Sequence, residues 1–142
     1  MTIEAKNKHL ARTFMRLLSD GQLEQAADCL KEDMQWRIVS TSRPGVFTRA
    51  QVIGATKAMI AASTDGKFSL SPVGMIAEDD KVAIEAESLV NLKDGKTYNN
   101  KYHMLWTIAG DKVVECREYN DTAHFMDVMS HALVGITIPK TS

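Results

Sequence analysis

The second half of the chain constrains the fold most, because four strand-like segments follow one another with only short turns between them. The turns read EDD, KDG and AGD, and connections of this length join antiparallel neighbours as hairpins. The segment at 81–92 alternates apolar and polar side chains, which is the two-residue period of a strand with one buried face. The sequence therefore predicts an antiparallel meander over residues 68–79, 81–92, 96–109 and 112–120.

The first half of the chain is mostly helical. Leu10, Phe14 and Leu17 recur at helical spacing, which predicts a helix over residues 7–18 with one apolar stripe facing a core. Thr48 and Gln51 form a T-x-x-Q capping box, which marks the start of another helix that runs to about residue 62. Between these helices the same patterns predict a short helix, a strand and a loop, at 22–30, 34–39 and 40–45.

A last short helix is predicted at 121–133, and no element is predicted for the tail at 135–142. Helices followed by a run of strands are typical of an α+β fold, with helices packed on one face of a curved antiparallel sheet. The space between the helices and the sheet is then a natural pocket. The chain has 142 residues, about the length of one domain, so we predict a single domain over residues 1–142.

Charge and composition argue against several classes of function. The formal net charge is −1, with acidic and basic residues interspersed, so we expect no nucleic-acid partner. The first residues lack the apolar core of a signal peptide and no apolar run approaches a membrane span, so we expect a cytoplasmic protein with no membrane partner. Cys29 and Cys116 lack metal-ligand spacing, and no phosphate-binding glycine loop or nucleophile elbow is present. We therefore expect no metal and no other cofactor.

Three stretches carry the most specific pattern in the sequence: DGQLEQ at 20–25, LKEDMQW at 30–36 and GDKVVECREYND at 110–121. In this order they resemble the nuclear transport factor 2-like superfamily, and within it the SnoaL-like polyketide cyclases and the limonene epoxide hydrolases. The resemblance covers nearly the whole chain. It implies a cone-shaped curved antiparallel sheet with helices packed on its concave face around an apolar pocket, in a protein that forms a homodimer.

The ketosteroid isomerases of this superfamily use residues that this chain does not share. The resemblance places their oxyanion tyrosine at Phe14, their basic aspartate near Ile38 and their neutral acid near Met104. None of these three side chains can exchange the protons that enolisation requires. We therefore do not expect the steroid isomerase reaction.

The epoxide hydrolases and the cyclases match the chain at other positions. The resemblance places the hydrolase Asp–Arg–Asp relay at Glu87, Glu85 and Asp121, and its water-holding Tyr and Asn at Trp36 and Ile38. The arginine and both water ligands are replaced, so we do not expect epoxide hydrolysis in that form. The SnoaL-like cyclases use one aspartate at the end of the last strand as a general base. The resemblance implies that this base is Asp121.

Two interpretations of Asp121 stay open. The carboxylate precedes TAHF, so it can simply accept a backbone amide at the helix N-terminus, where negative charge is favoured. It can also face the pocket as the resemblance implies, and the two roles do not exclude each other.

Glu85 and Glu87 are two residues apart in a strand, so both point to the same face. Two carboxylates this close can raise the pKa of one of them and so create a general acid beside a base. The apolar side chains Val82, Ile84 and Ala86 occupy the opposite face, so alternation predicts that both glutamates face water. The family alignment predicts that they face the pocket, and the sequence leaves this conflict open.

Large side chains on the strands are candidates for the walls of a pocket. Such a stripe is more often core than binding surface, but it also suits a flat, mostly apolar ligand. A buried amide in this stripe, Asn100, would need hydrogen-bond partners. The candidate substrate-binding residues are Phe14, Trp36, Asn100, Tyr102, Met104, Trp106 and Tyr119.

The histidines are weaker evidence for a functional site. His103 falls on the other face of its strand, which is a candidate dimer surface. His124, Asp127 and His131 share one side of the last helix, so a metal is conceivable there, although a solvated helix face explains the same spacing.

The sequence thus predicts a small cofactor-independent SnoaL-like enzyme that acts on a compact, mostly apolar, carbonyl-containing metabolite. The reaction would be a cyclisation, an isomerisation or a lyase or hydrolase step by general acid–base proton transfer, with Asp121 as the base and Glu85 and Glu87 as assistants. The alternative is a non-catalytic module of the same fold that binds a small ligand or mediates dimerisation.

Overall fold

A computed structural model describes the backbone of residues 1–132 and the side chains of residues 1–129. The helices are α1 (Ile3–Ser19), α2 (Leu23–Asp28), α3 (Arg49–Ala62) and α4 (Thr122–Ala132). The strands are β1 (Leu30–Ile38), β2 (Gly45–Phe47), β3 (Ser69–Glu78), β4 (Lys81–Asn91), β5 (Thr97–Tyr98), β6 (Lys101–Ala109) and β7 (Lys112–Asn120). The tail at 135–142 and the predicted end of the last helix at residue 133 lie outside the described residues.

The strands form one curved, open sheet in the order β2-β1-β7-β6-β4-β3, with β5 paired to β4. The predicted meander is confirmed, since β3, β4, β6 and β7 pair as antiparallel neighbours. One pairing differs from the antiparallel prediction, because β1 runs parallel to β7. A parallel pair needs a long crossover, and the chain between β1 and β7 supplies one. The α+β fold with helices on a curved sheet is confirmed.

Local signals in the sequence explain where the elements begin and end. Thr48 accepts a 3.2 Å hydrogen bond from the Gln51 amide and donates its own amide to Gln51 Oε1 at 2.9 Å, so the predicted capping box is present. α1 begins earlier than predicted because the Thr2 hydroxyl caps it, accepting from the Ala5 amide at 3.1 Å. After α1, Gly21 adopts a φ of 74°, which favours glycine.

The predicted strand at 96–109 is interrupted. Asn99 and Asn100 separate β5 from β6, because the Asn100 side chain accepts the Lys101 amide at 2.8 Å and the Asn100 amide donates to Ser88 Oγ at 3.2 Å. These side-chain bonds compete with the strand ladder at this point, although the Ser88 amide still donates to the Asn100 carbonyl at 3.1 Å. The short strand β2, which begins where a loop was predicted to end, pairs antiparallel with β1.

The sheet has two different faces. The face that packs against α1 and α3, here the inner face, carries the buried residues Val82, Ile84, Met104 and Trp106. The rings of Phe14, Trp36 and Trp106 cluster here, with centroids 5.4 to 6.0 Å apart. The helices therefore close the inner face around an aromatic core.

The opposite, outer face is open to solvent. Val73 is 61% exposed, Ile76 76% and Leu89 49%, all on β3 and β4. Exposed apolar surface of this kind is a feature of subunit interfaces, so the homodimer remains a prediction that this surface supports. Among the described residues, no helix is long and apolar enough to cross a membrane.

Candidate functional site

A pocket of about 170 Å³ lies between the inner face of the sheet and the helices. Its walls come mainly from β1, α3, α4 and the inner face of β6 and β7. Most of the lining is apolar and includes Trp36, Phe47, Met59, Phe68, Met104 and Phe125. An apolar cavity of about 150 Å³ is large enough for a benzene ring, so the pocket suits a compact ligand with an apolar body.

Glu118 supplies a carboxylate to this apolar wall. Glu118 and Asn120 on β7 both line the pocket. Trp36 Nε1 donates to Glu118 Oε1 at 3.0 Å, and Asn120 Nδ2 donates to Glu118 Oε2 at 2.7 Å. Each carboxylate oxygen is therefore held by one protein donor, and this fixes the direction in which the group points.

Burial raises the pKa of Glu118 above its ordinary value, and the hydrogen bonds from Asn120 and Trp36 offset part of this rise. A carboxylate in this environment is a stronger base than one in water, and its protonated form is populated at higher pH. Such a perturbed acid in a pocket is a typical functional group. Glu118 is therefore the strongest candidate for proton transfer among the described residues.

A chain of hydroxyl groups borders the same pocket. The Tyr102 hydroxyl lies 2.9 Å from the Tyr98 hydroxyl and 3.0 Å from Ser88 Oγ, and Asn100 Nδ2 donates to the Tyr98 hydroxyl at 2.9 Å. Tyr98 and Tyr102 line the pocket. Burial raises the pKa of Tyr98 to about 12 and raises the pKa of Tyr102 well above its usual value. Both hydroxyls therefore stay protonated at neutral pH and can act as donors.

Asp121 lies just beyond the end of β7 and caps α4. Its side chain accepts the His124 amide at 3.1 Å, and its own amide donates to the Lys101 carbonyl at 3.3 Å. The side chain is exposed, and Asp121 is not part of the pocket lining. The structure thus shows the capping interpretation of Asp121 and places the carboxylate apart from the apolar pocket.

Glu85 and Glu87 lie on the outer face of β4, where alternation predicts them and the family alignment does not. Both are exposed, and Glu87 forms a 2.7 Å ion pair with Lys101 on the neighbouring strand. Together with His103 and Tyr119 they border a shallow groove on this face. The structure does not bring either glutamate together with the apolar pocket, because the sheet lies between them.

The candidate wall residues separate into three groups. Trp36, Tyr102 and Met104 line the pocket. Phe14 and Trp106 are fully buried in the aromatic core and do not line the pocket. The buried Asn100 side chain does not line the pocket either, but it donates a hydrogen bond to the hydroxyl of Tyr98, which does. Tyr119 is 45% exposed and lies on the outer face.

The candidate metal site on α4 is occupied by other interactions. His124 stacks on the Tyr98 ring with centroids 5.5 Å apart, and its Nε2 accepts the Asn99 amide at 3.2 Å. The His131 side chain lies outside the described residues. Within the described part of the chain, no cluster of three or more His, Cys, Asp or Glu side chains could hold a metal ion.

A β-bulge explains why alternation along β7 does not reveal Glu118, whereas Asp121 was implied by the family resemblance alone. Thr107 pairs with Glu115 and Ile108 pairs with Val113, so Val114 is an extra residue in β7. Counting in twos from the buried Val113 puts Tyr119 and Asp121 on the inner face, but the extra residue reverses the alternation. Cys116, Glu118 and Asn120 then face inward. The available signal was the polar pair Glu118 and Asn120, which continues the face of a buried cysteine.

Several solved structures share this fold. PrhC from Penicillium brasilianum is similar with a TM-score of 0.81 and 16% identity, covering 93% of this chain and 90% of that chain. An NTF2-like protein from Burkholderia pseudomallei is similar with a TM-score of 0.73 and 16% identity, covering 92% and 99%. TerC, co-crystallised with polyporic acid, is similar with a TM-score of 0.70 and 18% identity, covering 87% and 97%. At these identities the likeness shows the fold alone.

Sequence comparison identifies the family. No curated protein sequence matches this chain significantly. The family profile of the SnoaL-like domain matches residues 11–116, which is most of the chain and includes the second half of α1, the strands from β1 to β6 and the start of β7. The chain therefore belongs to the SnoaL-like domain family, and its fold is that of the NTF2-like proteins.

Proposed function

We propose that this protein is a small cofactor-independent enzyme that transfers a proton on a compact, mostly apolar carbonyl compound, with Glu118 as the proton carrier. The observation that supports this proposal most strongly is the position of Glu118. Its carboxylate lies in an apolar pocket, held by Trp36 at 3.0 Å and Asn120 at 2.7 Å. Members of this family are often small cofactor-independent cyclases or isomerases, which supports the same reaction class.

The proposed step is enolisation. Glu118 takes a proton from the carbon next to the carbonyl, and the electron pair of the broken C–H bond moves onto the carbonyl oxygen. Glu118 then returns the proton at another atom of the enolate, which gives an isomer. Alternatively, the enolate carbon adds to a second carbonyl carbon of the substrate, the π electrons of that C=O bond move onto its oxygen, and this oxygen takes the proton from Glu118, which gives a ring. The raised pKa of Glu118 supports this role, because a base works best when its pKa approaches the working pH.

The developing negative charge on the carbonyl oxygen needs a donor, and counting protons in the hydroxyl chain identifies one. Ser88, Tyr102 and Tyr98 carry three hydroxyl protons and make two contacts with one another. One proton is therefore not used within the chain. When Ser88 donates to Tyr102 and Tyr102 donates to Tyr98, this is the proton of Tyr98, which lines the pocket. In our proposal Tyr98 donates this proton in a hydrogen bond to the carbonyl oxygen and stabilises the enolate.

The sequence-based candidates Asp121, Glu85 and Glu87 enter this proposal only as comparisons. All three side chains are exposed to water rather than to the apolar pocket. Asp121 accepts the His124 amide, and Glu87 pairs with the Lys101 ammonium group. A base in water gains nothing from desolvation. Variants at Asp121 are therefore a matched control for variants at Glu118.

The rival function is a ligand-binding module without catalysis. One observation favours it: both Glu118 oxygens already accept hydrogen bonds from the protein, as they would in a purely structural role. The two functions differ in what happens to the α-protons of a bound carbonyl compound. A binding module holds the ligand unchanged, whereas the proposed enzyme exchanges those protons with solvent.

Deuterium exchange tests the proposal without knowledge of the natural substrate. Acetophenone and other compact ketones, with and without a carboxylate, are incubated in D₂O with the protein, and loss of the α-proton signal is followed by NMR. We expect catalysed exchange of at least one ketone by the wild type and exchange slower by about 10²-fold or more by Glu118→Gln. Ketones that bind but exchange at the uncatalysed rate would favour the binding module.

A further inference from the structure

One cation borders the pocket. Of the side chains in the described pocket lining, Arg43 and Glu118 are the two that carry a formal charge at neutral pH. Arg43 belongs to the segment between β1 and β2 and is only partly exposed. A half-buried guanidinium beside mostly apolar walls loses part of its hydration there, and an anionic partner in the pocket would compensate for this loss.

The contacts of Arg43 fix its position without neutralising it. Its guanidinium carbon lies 4.5 Å from the centroid of the Phe125 ring, and its Nη1 lies 2.8 Å from Met126 Sδ. Its backbone amide donates to Ser40 Oγ at 3.0 Å, which anchors the loop. The contact with the Phe125 ring uses one face of the guanidinium, so most of its five N–H groups have no partner among the described residues and can donate at the edge.

Among the described residues, no acidic side chain forms an ion pair with the Arg43 guanidinium. In the described part of the chain, no Asp or Glu oxygen lies within the 4.0 Å ion-pair distance of Arg43, whereas Arg16 has Asp20 at 3.8 Å and Lys101 has Glu87 at 2.7 Å. Glu118, the carboxylate of the same pocket, instead accepts from Trp36 and Asn120. The pocket therefore presents an oriented guanidinium that no acidic side chain has neutralised.

We propose that Arg43 selects ligands that carry a carboxylate or a similar pair of anionic oxygens. The guanidinium edge matches two such oxygens in a bidentate arrangement, and the low polarity of the walls strengthens the interaction. A cavity of about 170 Å³ then accommodates a ring-sized apolar body attached to the anionic group. This inference rests on the proposed function in one respect only, namely that the pocket is where the substrate binds.

A purely structural role for Arg43 makes a different prediction. If Arg43 only holds α4 against the loop through Phe125, its replacement lowers the thermal stability and weakens every ligand to the same degree. If Arg43 binds the anion, its replacement weakens anionic ligands selectively. Neutral and anionic probes of the same shape separate the two roles.

Benzoate and acetophenone are such a pair, because a methyl group in one replaces an anionic oxygen in the other. Dissociation constants are measured at pH 7.5 from the fluorescence of Trp36 and Trp106 in the wild type, Arg43→Lys and Arg43→Gln. We expect the wild type to bind benzoate about tenfold or more tightly than acetophenone. Arg43→Gln should lose this preference and keep its affinity for acetophenone, and Arg43→Lys should keep part of the preference.

Equal affinities in the wild type, or equal losses for both probes in Arg43→Gln, would overturn the inference. Deuterium exchange by the wild type separates this result from the proposed enzyme activity. A benzoate preference in a wild type that exchanges no ketone supports the anion site and contradicts the proton transfer. Exchange by the wild type without any benzoate preference supports the proton transfer and contradicts the anion site.

Discussion

Asn120 donates a 2.7 Å hydrogen bond from Nδ2 to Glu118 Oε2, and its own Oδ1 is buried without a hydrogen-bond partner among the described residues. This arrangement fits the ionised form of Glu118, which can only accept. A half turn of the amide exchanges Nδ2 and Oδ1, so the same side chain can accept the proton of neutral Glu118. Asn120 can therefore partner both protonation states that a proton carrier passes through.

The first prediction concerns the pKa of Glu118 in Asn120→Ala. The hydrogen bond from Asn120 lowers this pKa, so its loss should raise the pKa further above the ordinary value. Exchange by an ionised base increases with pH through the pKa, so this increase should move to higher pH in the variant. Carbon-13 NMR titration of labelled glutamates and the pH dependence of exchange measure the two effects. An unchanged pKa would show that Asn120 has no part in setting it.

The second prediction concerns stability against pH. The pKa of Glu118 is raised in the folded state, so folded protein binds more protons than unfolded protein between the two pKa values. The contribution of Glu118 to stability is therefore full below the unfolded pKa and is lost as pH rises through the folded pKa. In Glu118→Gln this loss should disappear, which flattens the curve of unfolding free energy from acidic to neutral pH. Glu115→Gln on the same strand is the control, and equal curves for both variants would contradict the assignment.

The third prediction concerns Tyr98. Tyr98→Phe removes the acceptor of the buried Asn100 amide, which should cost about 1–3 kcal/mol in stability. It also removes the donor proposed for the carbonyl oxygen, so exchange should fall by about 10²-fold. Tyr102→Phe leaves the Tyr98 proton in place and should cause a smaller loss of rate. Equal rates for the wild type and Tyr98→Phe would exclude Tyr98 as the donor.

The fourth prediction concerns Asp121 as a helix cap. Asp121→Ala removes the acceptor of the His124 amide and should lower the unfolding free energy by about 1 kcal/mol. Asp121→Asn keeps an acceptor of similar capping strength and should cost clearly less. Denaturant unfolding of the two variants measures the difference. Equal stabilities for Asp121→Ala and the wild type would show that the cap contributes nothing.

Much of the fold was readable from the sequence because it rests on local signals. The turns EDD, KDG and AGD fix the antiparallel neighbours of the meander, and Thr48 with Gln51 fixes the start of α3. The parallel pairing of β1 with β7 has no such signal, since it joins distant segments. Likewise, β2 has only three residues, too few to show a period.

The candidate site was less readable, because one residue reverses the faces of β7. The bulge at Val114 turns Glu118 toward the pocket and Asp121 away from it. The position of a bulge depends on the pairing between strands, so the sequence of one strand does not predict it. For Glu85 and Glu87, where alternation and the resemblance disagree, the structure agrees with alternation, because β4 alternates without interruption along its length. No sequence pattern indicates a role for Arg43, because a loop residue does not belong to the periodic pattern of a helix or a strand.

The most direct test of the account is to compare Glu118→Gln and Asp121→Asn in the deuterium exchange of a ketone that the wild type exchanges. Each variant replaces one carboxylate by its amide, so the two changes are matched in chemistry and differ in place. Exchange by Glu118→Gln should fall by about 10²-fold or more, and exchange by Asp121→Asn should stay at the wild-type rate. A loss confined to Asp121→Asn, with full exchange by Glu118→Gln, would contradict the account.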